Sequence, residues 1–208
     1  MESEDYQFNP EEYLINILSR AVANKQDISV SIASGDKVAI FPARGDYYSF
    51  VDDMASFCTS NIDDLVVKVL TDTDGDEIRK DKEHGRNFDE LLWQAAYYAS
   101  QGRLIQGCRR EDVVALRYWP NLTRLPGPPS SIAIAALLTR YPTSITLAGR
   151  ILGVPMSEML EFYSAAYSAG FIKVHNRTME SHDLKPHKLK PHSDSTMLGK
   201  LLSRISRI

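Results

Sequence analysis

The densest run of groups able to do chemistry is "DTDGDEIRKDKE". Asp72, Asp74, Asp76 and Glu83 stand at positions 1, 3, 5 and 12 of the twelve-residue calcium-loop register, where a hard cation takes its oxygen ligands. Position 6 is Glu77, where the sharp turn needs glycine, and position 8 is Arg79 instead of an apolar residue. The run is therefore expected to be a solvated acidic turn that holds no metal. The late histidines, His175, His182, His187 and His192, are spaced 7, 5 and 5 apart, which does not bring two imidazoles onto adjacent turns of one helix. Cys58 and Cys108 are far apart and lack metal-type spacing, so two reduced, buried thiols are expected, as in a cytoplasmic protein.

A second constellation is basic and aromatic. "RREDVVALRYWPNLTRLP" carries Arg109, Arg110, Arg117 and Arg124 around Tyr118, Trp119 and Asn121. Guanidinium groups beside aromatic rings could pair with a phosphate and stack on a base, so the four arginines are candidate nucleotide contacts. The competing reading is ordinary surface, with Trp119 as a seal between two domains. No Gly-rich phosphate loop, no Gly-x-Ser-x-Gly elbow and no His-Glu-x-x-His pair occurs, and no set of residues takes complementary catalytic roles. A non-enzyme without a cofactor is expected.

The elements that must position these groups follow from periodicity. The 208 residues are 43% hydrophobic and 25% charged, an ordinary globular balance that can fill one large core or two small ones. No stretch is long and apolar enough to span a membrane, and the acidic "MESEDYQFNPEEYL" has no secretion-signal layout. Asn9 and Pro10 suit a helix start, with Leu14, Ile17, Leu18 and Val22 on one face. "DISVSIASGDKVAIFPARGDYYSF" alternates around two turn segments and predicts a hairpin or meander. A short helix in "VDDMASFCTSN", a strand in "DDLVVKVL" and a charged loop come next. "FDELLWQAAYYASQGRL" then predicts a strong helix with Phe88, Leu91, Leu92, Ala95 and Tyr98 as its stripe, and "EDVVALRYW" a last strand.

Composition divides the chain into an α+β domain (1–125), a proline-rich linker around "PGPPSS" (126–130), a small helical domain with a closing strand (131–176), a basic linker with a repeated Leu-Lys-Pro-His unit (177–194) and a terminal segment (195–208). In "TMLGKLLSRISRI" Leu198, Leu201, Leu202 and Ile205 form one stripe, with Lys200, Arg204 and Arg207 off it: a basic amphipathic helix suited to a partner groove or a membrane surface. From Lys173 to Ile208 there are eight basic and three acidic residues, so the tail is +5 and the rest of the chain −8.

"TLAGRILGVPMSEMLEFYSAAYSAGFI" has Gly153 to stop one helix, Pro155 or Ser157 to start the next, and Gly170 to break it before the β-prone "FIKV". On these residues the segment 131–174 resembles a winged helix-turn-helix domain. The resemblance implies a third helix that reads the major groove, helped by Arg150, Lys173 and Arg177 on phosphates. That helix carries Glu158 and Glu161 and no Lys or Arg, the wrong charge for DNA. Its Met156, Met159 and Phe162 are the candidate contacts of a protein-docking surface, while Leu160, Tyr163 and Tyr167 fall at core spacing. The expected function is a non-enzymatic adaptor or regulatory protein of bacterial style, docking on another protein or a second copy of itself. The alternatives are a DNA-binding regulator working through wing and tail, and a small-ligand or nucleotide sensor.

Overall fold

The computed structural model describes residues 6–81 and 85–176. Asn9 caps a single 3-10 turn, Pro10–Glu12, through its side-chain oxygen. Tyr13 is extended, so the first α-helix, α1 (Leu14–Asn24), starts one step later than the cap suggests. The alternating stretch folds as a meander of β2 (Ile28–Ser31), β3 (Lys37–Phe41) and β4 (Asp46–Phe50), preceded in the chain by the short β1 (Gln7–Phe8). A short helix, α2 (Met54–Thr59), leads to β5 (Val66–Val69), which returns to the far side of β2. The two-residue β6 (Arg86–Asn87) joins β4, giving an antiparallel sheet of order β5-β2-β3-β4-β6.

The charged run expected as a loop is a helix, α3 (Asp72–Asp81). Thr71 and Asp74 bond reciprocally: the Thr71 backbone N–H donates to the Asp74 carboxylate, and the Asp74 N–H donates to the Thr71 hydroxyl oxygen. This capping box starts a helix that has almost no apolar face. Ile78 plugs into the sheet beside Ala39, Phe41 and Tyr48, with Arg79 laid over the Phe41 ring. Asp74 is occupied by Lys68 and Thr71, and Asp76 by Arg79, so two carboxylates of the calcium register are engaged in starting and bracing the helix; Glu83 lies outside the described residues.

The long helix α4 (Phe88–Ser100) is the axis of the molecule. Phe88, Leu91, Leu92, Ala95 and Ala96 pack with α1 and α2 against the inner face of the sheet, on Ile28, Val30, Val38 and Ile40. The opposite side presents Trp93 and Ala99 to a second core. That core contains β7 (Leu104–Ile105), which pairs in parallel with β1, and β8 (Val113–Leu116). It is completed by α5 (Ser131–Arg140), β9 (Thr143–Ser144), α6 (Ile145–Leu152), α7 (Met156–Ser168) and β10 (Ile172–Val174). The fold is mixed α+β, with seven α-helices among the described residues.

The closing strand β10 pairs with β8, and β8 with β9, so the small sheet has the order β10-β8-β9. Its middle strand therefore comes from before the proline-rich linker. Trp93 fastens that linker by donating its indole N–H to the Pro126 carbonyl at 2.7 Å.

Candidate docking surface

Local chemistry sets the two helix ends as expected. Gly153 is left-handed (φ 63°), and the N–H groups of Gly153 and Val154 close onto the Arg150 and Gly149 carbonyls, so α6 stops there. Gly170 (φ 75°) ends α7 in the same manner before β10. The helix that a DNA reader would present, however, faces inward. Of residues 156–168 only Ser157 is exposed.

The reason is α4, which lies along α7. Phe162 meets the Trp93 ring edge-on at 5.4 Å, and Phe171 leans on the same indole. Polar contacts lock the remaining sides. The Ile105 N–H donates to the Ser164 hydroxyl at 3.0 Å, and the Tyr163 hydroxyl donates to buried Asp112 at 3.3 Å. Burial, with Cys108 and Asp112 close by, pushes the Tyr163 phenol far above its ordinary range. Met159 and Phe162, two candidate contacts of a docking surface, are thus core side chains; Met156 is half-buried and packs on that core. Leu160 and Tyr163 are core as their spacing predicts, and Tyr167 is half-buried, stacked on Tyr163.

The two carboxylates that made α7 a poor reader have structural work. Glu158 accepts the Ser130 N–H at 3.2 Å, placing negative charge at the start of α5, where the helix dipole favours it. Glu161 is raised above the usual carboxylate range by burial and then by neighbouring Glu158, offset by a hydrogen bond from the Gly102 backbone.

The arginines of the candidate nucleotide site are not brought together. Arg110 lies over the Tyr6 ring at 4.3 Å, and Arg124 is 3.7 Å from Glu90. Arg109 and Arg117 are exposed on either side of β8, Arg109 in the turn that its carbonyl closes by accepting the Asp112 N–H, and Arg117 just past the strand's end. Trp119 does not seal two domains: it is 52% exposed, and Trp93 occupies the junction. Arg150 and Lys173, candidate phosphate contacts, are exposed on different elements, α6 and β10. Arg177, the linker and the 195–208 segment with Leu198, Leu201, Leu202 and Ile205 lie outside the described residues. No group of three or more metal-type ligands occurs among the described residues, and no helix among them is long and apolar enough to cross a membrane.

The outward apolar surface is on α6 and α5 instead. Leu147 (49% exposed) and Ile151 (58%) are four apart, on one face of α6, with Arg150 beside them. Ile132, Ala136 and Arg140 repeat that spacing on the exposed side of α5, and Tyr141 is exposed at its end. Ile145, Ala148 and Gly149 already supply the buried side of α6. Leu147 and Ile151 are therefore surplus to packing, and "ITLAGRIL" shows it: large apolar residues all round a short helix exceed what one core contact can bury. No family model matches the chain, and no match was found among curated proteins or solved structures.

Proposed function

We propose that the chain is a non-enzymatic adaptor or regulatory protein that docks a protein partner through the outward face of α6, with the basic amphipathic segment 195–208 as a second contact. The observation that carries this reading is the pair Leu147 and Ile151, exposed at helical spacing next to Arg150, in a segment whose neighbouring helix is buried. Apolar side chains with an arginine on the rim are the composition of a protein interface. A partner with apolar side chains and a carboxylate would match it. Major-groove reading has little support, because α7 would have to leave Trp93, Ser164 would lose the Ile105 amide, and Asp112 would lose the Tyr163 hydroxyl.

The test is site-specific photocrosslinking of the full chain in its native cell. A photoreactive residue at 151 is expected to give a discrete protein adduct, and one at 25, exposed at the end of α1, a weaker one or none. Leu147→Glu with Ile151→Glu should remove the adduct while leaving the thermal midpoint in place. Equal, diffuse labelling from both positions would refute docking through α6. A shift of duplex DNA at physiological salt, abolished by Lys173→Glu, would favour the nucleic-acid alternative.

A further inference from the structure

We propose that the outer edge of β5 is an interface between two copies of this chain, joined antiparallel across a two-fold axis at Val67 so that two five-stranded sheets become one. The surface is separate from α6, so this inference and the docking reading stand or fall independently.

Among the described residues β5 ends the sheet, and all four of its residues are exposed: Val66 at 64%, Val67 at 47%, Lys68, and Val69 at 54%. An end strand presents a row of backbone donors and acceptors, and monomers blunt such edges with proline, bulges or free lysines. Here β5 pairs with β2 without interruption from Val66 to Val69 and contains no proline. Its one lysine is tied back to Asp74 at 2.9 Å. Beside the edge, Val67 forms one wall of a groove of about 270 Å³ whose other apolar walls are Ile17, Ala21 and Ile28. Apolar side chains thus continue from the core to the edge, with Arg20, Asn24 and Gln26 as the groove's polar rim.

Register singles out a second copy of the same strand. Val67 and Val69 oppose Val30 and Ile28, so they lie on the α1 side of the sheet, and Val66 and Lys68 on the α3 side. Residues directly opposite in an antiparallel pair share a face, so a two-fold axis must pass through a residue and not between two. An axis at Lys68 would oppose two ammonium groups, which is destabilising. An axis at Val67 sets Val67 on its own copy, Val69 against Leu65 and Lys68 against Val66. On the α1 side this gives an unbroken strip of Leu65, Val67 and Val69 from both chains, next to both grooves. Exposed Asp64 closes the 3-10 turn Ile62–Asp64 ahead of each strand, so the Lys68 end of one strand runs toward the acidic start of the other. The two Lys68 groups are also a diagonal apart, each already neutralised by its own Asp74.

Single-cysteine variants of the full chain test the register. Directly opposed Cα atoms are about 4.5 to 5.5 Å apart, within disulfide range, whereas diagonal ones exceed it. Val67→Cys is expected to oxidise to a covalent dimer, and Lys68→Cys and Val69→Cys are not. Native Cys58 and Cys108 are buried, the Cys58 thiol pushed up to about 12 by burial, so neither competes. Sedimentation across a concentration series should show a monomer–dimer equilibrium that Val67→Lys weakens at least tenfold, with an unchanged circular dichroism spectrum. A parent that stays monomeric at every concentration would overturn the proposal, as would crosslinking no stronger at 67 than at 68. A monomer that dimerises only after deletion of 195–208 would assign the edge to the tail and overturn it too.

Discussion

Helices α6 and α7 are joined by two residues beyond Gly153, and both carry large apolar side chains, yet they have opposite fates. α7 is wrapped by α4, β7, α6 and β10 and exposes only Ser157. α6 buries Ile145, Ala148 and Gly149 and turns Leu147 and Ile151 outward. In the helix-turn-helix reading the second of such a pair does the binding. Here that helix is structural, and the surface belongs to the first. The difference lies outside the segment: α4 supplies Trp93, and a helix with a large indole laid against it has no free face.

Phe162→Ala is the strongest test of the buried side. Loss of the ring that meets Trp93 should cost about 3 to 5 kcal/mol, read as a lower urea midpoint, and a cost below about 1 kcal/mol would mean that α7 is not the packed partner. Tyr163→Phe should cost about 2 kcal/mol, because it removes a buried hydrogen bond to the Asp112 carboxylate; the same urea titration measures it. Glu161→Gln works in the other direction. The folded-state pKa of Glu161 is raised, so its contribution to stability is fully present below the unfolded carboxyl pKa and is lost as pH rises through the folded value. At pH 7 the variant should be more stable than the parent, by less than the preceding changes because Glu161 is only partly buried, and the gap should close in acid. A gap that persists at pH 3.5 would assign the effect to packing instead of charge. Smallest of all, Leu147→Glu with Ile151→Glu should move stability by no more than about 0.5 kcal/mol; a large loss by thermal melt would place these residues in the core and erase the contrast between the helices.

Much of the element order is legible in the residues themselves: the meander, the strong helix from Phe88, the stop at Gly153 and the strand after Gly170. The elements that are not legible have physical explanations. α3 is hidden by its charge, although Thr71 and Asp74 stand at capping-box spacing; composition outweighs a cap that needs no apolar face. The stripe expected on α4 omits Trp93, because a helix shared by two cores has two inward faces and no single stripe describes it. Met159 and Phe162 mislead for the same reason in reverse: apolar residues on a helix announce a contact without saying whether the partner is another protein or the rest of the chain.

The sequence by itself determined the ends of α6 and α7, because caps, left-handed glycines and proline-set starts act over three or four neighbouring residues. It also determined the charge split between body and tail, which is a matter of counting. Only the tertiary structure decided which apolar faces are used up. Burial depends on what lies opposite, and Trp93 is some seventy residues from the phenylalanine it covers. The acidic character of α7 makes sense at the same level. Glu158 serves the start of α5 and Glu161 the Gly102 amide, contacts that no local pattern encodes.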